Sequence, residues 1–358
     1  MGSYFGRNIR ISVFGQSHSE GIGVIIDGFP AGISIDFNAL NRFMERRAPG
    51  RNDYSTGRNE ADSVRFLSGV VNGVTCGAPI CAVILNTDTR SSDYNNILDI
   101  PRPAHADYTA QRKFGGFQDV RGGGHFSGRL TAPLCIAGAL CIQYLASMGI
   151  QLGAHISSVA DIRDTRFSPL GEPVELLDRI KSADFPVIDA SVKEAMIAKI
   201  LAAKSEGDSV GGTIECITTG LPAGIGDPMF YGLENVIASA VFAVPAVKGI
   251  EFGNGFEASL LTGSENNDAF YITEDGDIKT ATNNHGGILG GISSSMPLLF
   301  RVAVKPTPSI AKEQKSISFS EQKDTTLVIK GRHDPCIVAR AVPCIEAVTA
   351  IALTDMLL

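Results

Sequence analysis

The stretch TAPLCIAGALCIQYLASMG, residues 131–149, constrains the fold more than any other part of the chain. It is apolar along its length, interrupted by Gln143 and small residues, and it follows Arg129. Such a run is either a membrane span or the central helix of a globular core. The interior glutamine, the small residues and the preceding arginine favour the core helix. Composition agrees: hydrophobic residues are 44% and charged residues 19% of 358 positions, enough to bury a sizeable core. The opening MGSYFGRNIRISVFGQ has no apolar signal segment, so a cytoplasmic location with no membrane partner is expected.

No low-complexity linker divides the sequence, and one domain over 1–358 is expected. Strands are expected at IRISVF, APICAVIL, LLFRVAV and TTLVI. Helices are expected after Asp36, with Leu40, Phe43 and Met44 on one face and Pro49-Gly50 as a stop; after Ser191, with Glu194 in capping-box spacing; and from Pro335, with Asp334 as cap and a kink at Pro343. GFPAGI at Gly28–Ile33 recurs as GLPAGI at Gly220–Ile225, each copy after a β-like run and before a helical pattern. A shared turn requirement or two similar halves would each produce this. Strands and helices come in mixed runs rather than strict βαβ alternation, which favours an α+β sandwich.

The seven cysteines include no CxxC pair, and most sit in apolar runs, where a cysteine behaves as a small hydrophobe. Neither a disulfide framework nor a metal site is expected. A net charge of −7 argues against nucleic acid as a partner, so any anion site is a local basic cluster.

Four polar stretches supply such clusters: GQSHSEG with His18; ERRAPGRNDYSTGR with Arg46, Arg47, Arg51 and Arg58; PRPAHADYT with His105, then RGGGHFSGR with His125 and Arg129; and the C-terminal NNHGGILGG, KPTPSI and GRHDPC. Singly, each also reads as a turn, a solvated loop or, for Asp334, a helix cap. His18, between two serines beside a turn, is expected outside the packed core. Together they pair Arg or Lys with His, Ser or Thr in glycine-rich surroundings, which suits an oxygen-rich polyanion.

At these residues the sequence resembles the chorismate synthase family. GQSHSEGIGVIIDGFPAG, GGGHFSGRLTAPLCIAGAL and GRHDPCIVARAVPCIEAV are similar to its three signatures, in order, and the likeness runs from about Phe5 to the C-terminus. The resemblance implies a β-α-β sandwich with antiparallel sheets, core helices and pseudo-duplicated halves. It implies a lyase converting 5-enolpyruvylshikimate 3-phosphate to chorismate and phosphate by 1,4-anti elimination. Reduced FMN would be the cofactor and a homotetramer the assembly, with NADPH or an external flavin reductase as source of electrons. By similarity, His18 would be the flavin's proton donor or charge partner, His105 a general acid at the departing phosphate, and Asp334 an aid to deprotonation. Arg46, Arg47, Arg51 and Arg129 would bind substrate or NADP. FMN would contact His125, Phe126, Ser127, Ala246, Gly290, Lys305, Pro306, Thr307, Pro308, Ser309 and Arg332. The sequence departs from the family at Gln16, Ser19, Asp53, His125 and Pro245. The alternative is a homologue that binds FMN or phosphorylated ligands without turnover.

Overall fold

The computed structural model describes residues 2–50, 54, 62–86, 99–329 and 334–358. Arg51, Asp53, Arg58 and Arg332 lie outside the described residues.

The first half runs β1 (Tyr4–Phe5), β2 (Arg10–Gly15), β3 (Gly21–Asp27), α1 (Phe37–Arg47), β4 (Arg65–Ser68), β5 (Val70–Val71), β6 (Val74–Thr75), β7 (Ile80–Leu85), α2 (Asp107–Phe114) and α3 (Thr131–Ser147). The second runs β8 (Gln151–Val159), β9 (Ile162–Arg163), α4 (Val174–Ser182), α5 (Lys193–Ser205), β10 (Gly212–Thr219), α6 (Leu233–Val241), β11 (Val247–Phe252), α7 (Gly263–Asn266), β12 (Phe270–Ile272), β13 (Ile278–Thr280), β14 (Ile288–Leu289), β15 (Ile292–Ser293), β16 (Leu298–Val304), β17 (Gln314–Ser318), β18 (Lys323–Leu327) and α8 (Val338–Leu357).

Two five-stranded antiparallel sheets, ordered β1-β2-β3-β7-β4 and β11-β16-β10-β8-β9, form the outer layers. Helix α3 lies on β2, β3 and β7, α8 lies on β8 and β10, and the two helices pack on each other. A helix without a polar face needs apolar cover on all sides, and this layering supplies it to α3. A Cβ added at Gly138 would stand 2.3 Å from the Ala347 Cα, so only glycine permits this helix contact. The β-α-β sandwich expected from the sequence is the fold observed.

The echo at Gly28 and Gly220 is structural. In the first half the Thr75 hydroxyl accepts from Ile33 N at 2.9 Å and donates to Pro30 O at 2.7 Å. In the second, Ser293 accepts from Ile225 N at 2.9 Å and donates to Pro222 O at 2.5 Å. Backbone bonds repeat the match: Gly32 N to Thr75 O and Gly224 N to Ser293 O, Thr75 N to Ile33 O and Ser293 N to Ile225 O. Each hydroxyl closes the turn of its own half, and the halves are pseudo-duplicated.

Helix α1 starts as expected, with Asp36 accepting from Ala39 N at 2.9 Å. Two other caps differ. A 3-10 turn over Ala190–Val192 precedes α5, and the Asp189 carboxylate accepts from Ser191 N at 2.8 Å. A charged acceptor one turn earlier thus displaces the Ser191 capping box. Helix α8 begins at Val338 rather than Pro335, with Ile337 at the N-cap position, and the Asp334 carboxylate binds the Arg340 guanidinium at 2.7 and 2.8 Å. It runs as one helix through Pro343.

Candidate active site

A cavity of about 930 Å³ opens between the N-terminal strand, the RGGGHFSGR loop, the first turns of α3 and α8, and the segments at 242–248 and 305–309. Ligand sites commonly run from about 300 to 1,000 Å³, and this one lies at the upper end of that range.

The glycine triplet shapes the approach to it. Gly122, Gly123 and Gly124 all have positive φ. A Cβ at Gly122 would stand 2.4 Å from the His18 ring, and one at Gly123 would stand 3.1 Å from the His105 ring. The backbone thus threads between two histidines that are distant in sequence. His18 is buried behind Gly122, not solvated in a loop as its sequence neighbours suggest. Ser19 closes the turn carrying it: its hydroxyl accepts from Gln16 N at 2.9 Å and lies 2.8 Å from Gly21 O.

His105 sits on the cavity wall beside Asp107. A carboxylate only accepts, so His105 Nδ1 donates to Asp107 Oδ1, at 2.6 Å. That leaves Nε2 as the nitrogen able to exchange a proton. Asp107 also accepts from Arg102 N at 2.9 Å and from its guanidinium at 2.8 Å. Burial alone would raise the Asp107 pKa; hydrogen bonds from Arg102 and His105 outweigh it and hold the group well below the usual carboxylate range. Asp107 is therefore a fixed anion that orients His105.

Cations also border the cavity. Lys305 Nζ donates to Ala104 O, and burial followed by repulsion from Lys248 lowers its pKa. Ala246 holds a positive φ of 75° and accepts from Lys305 N at 3.0 Å, a strained backbone of the kind that gathers at ligand sites. The Thr307 hydroxyl is buried without a hydrogen-bond partner.

Arg47 reaches the cavity from α1 and is anchored by Asp62 at 2.5 Å and Thr131 at 3.1 Å. Asp62 also pairs with Arg129, whose Nε donates to Asn86 at 3.2 Å. For Asp62 too, burial raises the pKa, and the two guanidinium groups overcome it. One buried carboxylate thus fixes both arginines.

Of the residues expected from the sequence, His105, Asp334 and Arg47 line this cavity, as do His125, Phe126, Ser127 and Ala246, and Lys305, Thr307, Pro308 and Ser309. Pro306 lies within the last segment without lining it. Arg46 does not line it: its guanidinium binds buried Glu346 at 2.6 and 3.0 Å. Arg129 and His18 stand behind the lining, and Gly290 lies in the β14–β15 turn. His125 spends both ring nitrogens on the protein, donating from Nδ1 to Gly15 O at 2.7 Å and meeting Ser3 Oγ through Nε2 at 2.7 Å. It tethers the N-terminal segment and presents its ring to the cavity.

Sequence reasoning missed Arg102, Asp107, Lys248 and Arg340. Asp107 carried a signal, standing two residues after His105 in PRPAHADYT. Arg340, in the apolar run IVARAV, carried none.

Two antiparallel sheets around paired helices, with a cavity bearing a carboxylate-held histidine among cations, define a β-α-β sandwich enzyme suited to an anionic ligand. The sequence profile of the chorismate synthase family matches residues 9–358. A chorismate synthase of Lancefieldella parvula is 44% identical, with 100% of this chain and 96% of that protein covered. One of Dehalococcoides mccartyi is 45% identical, covering 100% and 97%. A crystal structure of a chorismate synthase superposes with a TM-score of 0.77 at 26% identity, over 99% of this chain and 92% of the other. The chain belongs to the chorismate synthase family, whose members are lyases.

Proposed function

We propose that the chain catalyses 1,4-anti elimination of phosphate from 5-enolpyruvylshikimate 3-phosphate, giving chorismate and phosphate in the shikimate pathway, with reduced FMN as cofactor. The observation that carries this reading is the His105–Asp107 pair at 2.6 Å on the wall of a cation-lined cavity. A substrate with one phosphate and two carboxylates calls for several cations, and Arg47, Lys248, Lys305 and Arg340 border the same space.

The wall also fits a phosphorylated, planar cofactor. The unpartnered Thr307 hydroxyl stands two residues from Lys305, and Phe126 offers a half-exposed ring. Pro306 and Pro308 stiffen this segment, and Ser309 accepts from Arg102 at 3.4 Å. When bound, reduced flavin supplies transient electron density as phosphate leaves. His105 Nε2 gives its proton to the departing phosphate, and Asp107 holds the ring in register and offsets its charge. Asp334, held by Arg340, assists loss of the C6 proton. His18, one layer behind Gly122, would be the chargeable group on the flavin's side.

The chain carries no dinucleotide fingerprint, so we assign flavin reduction to a separate reductase. Exposed apolar side chains such as Met229, Phe230, Phe256 and Ile272 support assembly into a homotetramer. An anaerobic assay with chemically reduced FMN tests the reading: chorismate and phosphate form in equal amounts. Folded protein that binds FMN yet forms no chorismate overturns it in favour of a non-catalytic binder. A parallel arm with NADPH and oxidised FMN stays inactive if the reductase is separate.

A further inference from the structure

Helices α3 and α8 bring two thiols together under the cavity. The Cys135 and Cys344 sulfurs stand 3.8 Å apart, with Cys135 donating to Cys344. Three residues further along each helix lies the Gly138–Ala347 contact, so the helices run in the same sense here at minimal separation. Cys344 borders the cavity, and none of the other six cysteines does.

We propose that Cys135 and Cys344 are a redox-active dithiol, which hydrogen peroxide entering the cavity converts to a disulfide joining α3 to α8. The inference is independent of the reaction proposed above. Forming the bond requires the sulfurs to close from 3.8 Å to about 2.04 Å. Rotation of two side chains on closely packed helices is the simplest route to that closure.

Its place on the cavity wall makes Cys344 the sulfur that a peroxide meets first. The hydrogen bond from Cys135 lowers its pKa most; burial opposes this, and Arg47, Thr131 and Arg340 reinforce it, while burial raises the Cys135 thiol. A thiolate, not a thiol, is the nucleophile toward peroxide. Burial instead pushes the Cys141 and Cys336 thiols up to about 12 and raises Cys216 as well. In the first step the Cys344 thiolate takes one peroxide oxygen, forming a sulfenic acid and releasing hydroxide. The Cys135 sulfur then attacks the Cys344 sulfur and expels a second hydroxide. Protons from the two thiols turn both hydroxides into water. Two electrons leave the sulfur pair and reduce the peroxide, as balance requires.

The test is to expose the folded protein to excess hydrogen peroxide, quench, alkylate free thiols and map peptides by mass spectrometry without reduction. The expected result is a Cys135–Cys344 cross-linked peptide that appears before Cys141, Cys216 or Cys336 is oxidised and disappears with dithiothreitol. In Cys135→Ser the cross-link is lost, and Cys344 is trapped by dimedone as a sulfenic acid. Should that variant not fold, the wild-type map decides alone. Recovery of Cys344 as free thiol, or as sulfinic acid beside a reduced Cys135, overturns the proposal. Because the readout is covalent, a failed chorismate assay leaves it standing, and its failure leaves the lyase reading standing.

Discussion

His105 Nδ1 stands 2.6 Å from the Asp107 carboxylate, and that carboxylate also receives the Arg102 guanidinium at 2.8 Å. One short segment, 102–107, therefore supplies a histidine, the anion that orients it and a cation. Asp107→Asn keeps the shape but removes the charge, and turnover falls by about 10²-fold or more. His105→Ala loses about 10²–10⁴-fold. FMN affinity, read by fluorescence quenching, stays near wild type in His105→Ala. A variant at 107 that turns over normally would remove the orienting role.

Gly122 is where backbone geometry can be tested against its neighbour. An alanine there carries its Cβ to within 2.4 Å of His18 and must hold a φ of +59°. The strain is about 1–3 kcal/mol, and thermal unfolding falls by several degrees. Gly128, in the same loop, has open space where its Cβ would be. Gly128→Ala is expected to leave the melting temperature unchanged, which separates the special position from a generic glycine effect.

Arg46 is expected to matter for stability more than for substrate. It pairs with Glu346, which is itself buried and accepts from Ala154 N at 3.0 Å. Removing one partner of such a pair costs about 3–5 kcal/mol. Arg46→Ala should therefore shift the denaturation midpoint strongly. Lys305→Ala, at the cavity, should raise KM while the midpoint stays close to wild type. Equal effects on KM would contradict the placement of Arg46.

His155 predicts a pH dependence. Fully buried, it meets Asp164 through Nδ1 at 2.9 Å and Glu215 through Nε2 at 3.1 Å. Burial lowers its pKa, but the hydrogen bonds it donates to the two carboxylates more than compensate and raise it above the ordinary value. A raised histidine stabilises fully below its unfolded pKa of about 6.5, and that contribution is lost as pH rises through the folded value. Urea unfolding should show wild-type stability declining on the alkaline side of this range. His155→Gln should be less stable at pH 6 and flatter with pH; an unchanged slope would rule the group out.

The paired turns give a symmetry prediction. Thr75→Val and Ser293→Ala each remove a hydroxyl that both accepts and donates. Each should cost about 1–3 kcal/mol by leaving backbone groups unsatisfied. Being in different halves, their effects should add in the double variant, within about 0.5 kcal/mol.

Local pattern was enough for much of this. The apolar run 131–149 dictated a buried helix, alternation marked β2, β7 and β16, and the Asp36 cap fixed the start of α1, because each depends on neighbours within a few residues. The three ordered signatures carried the family. What local pattern could not reach was competition between distant partners. Asp334 looks like a cap until Arg340 takes its carboxylate, and Arg46 and Arg47 look equivalent until α1 turns one to Glu346 and the other to the cavity. His18 and His105 are 87 positions apart in the numbering, and only the path of Gly122 and Gly123 between them makes them neighbours. The sequence by itself determined which elements form and which chemistry is available. Tertiary structure decided which charges are spent on each other and which face the cavity, because an ion pair or a thiol contact is chosen by proximity in space.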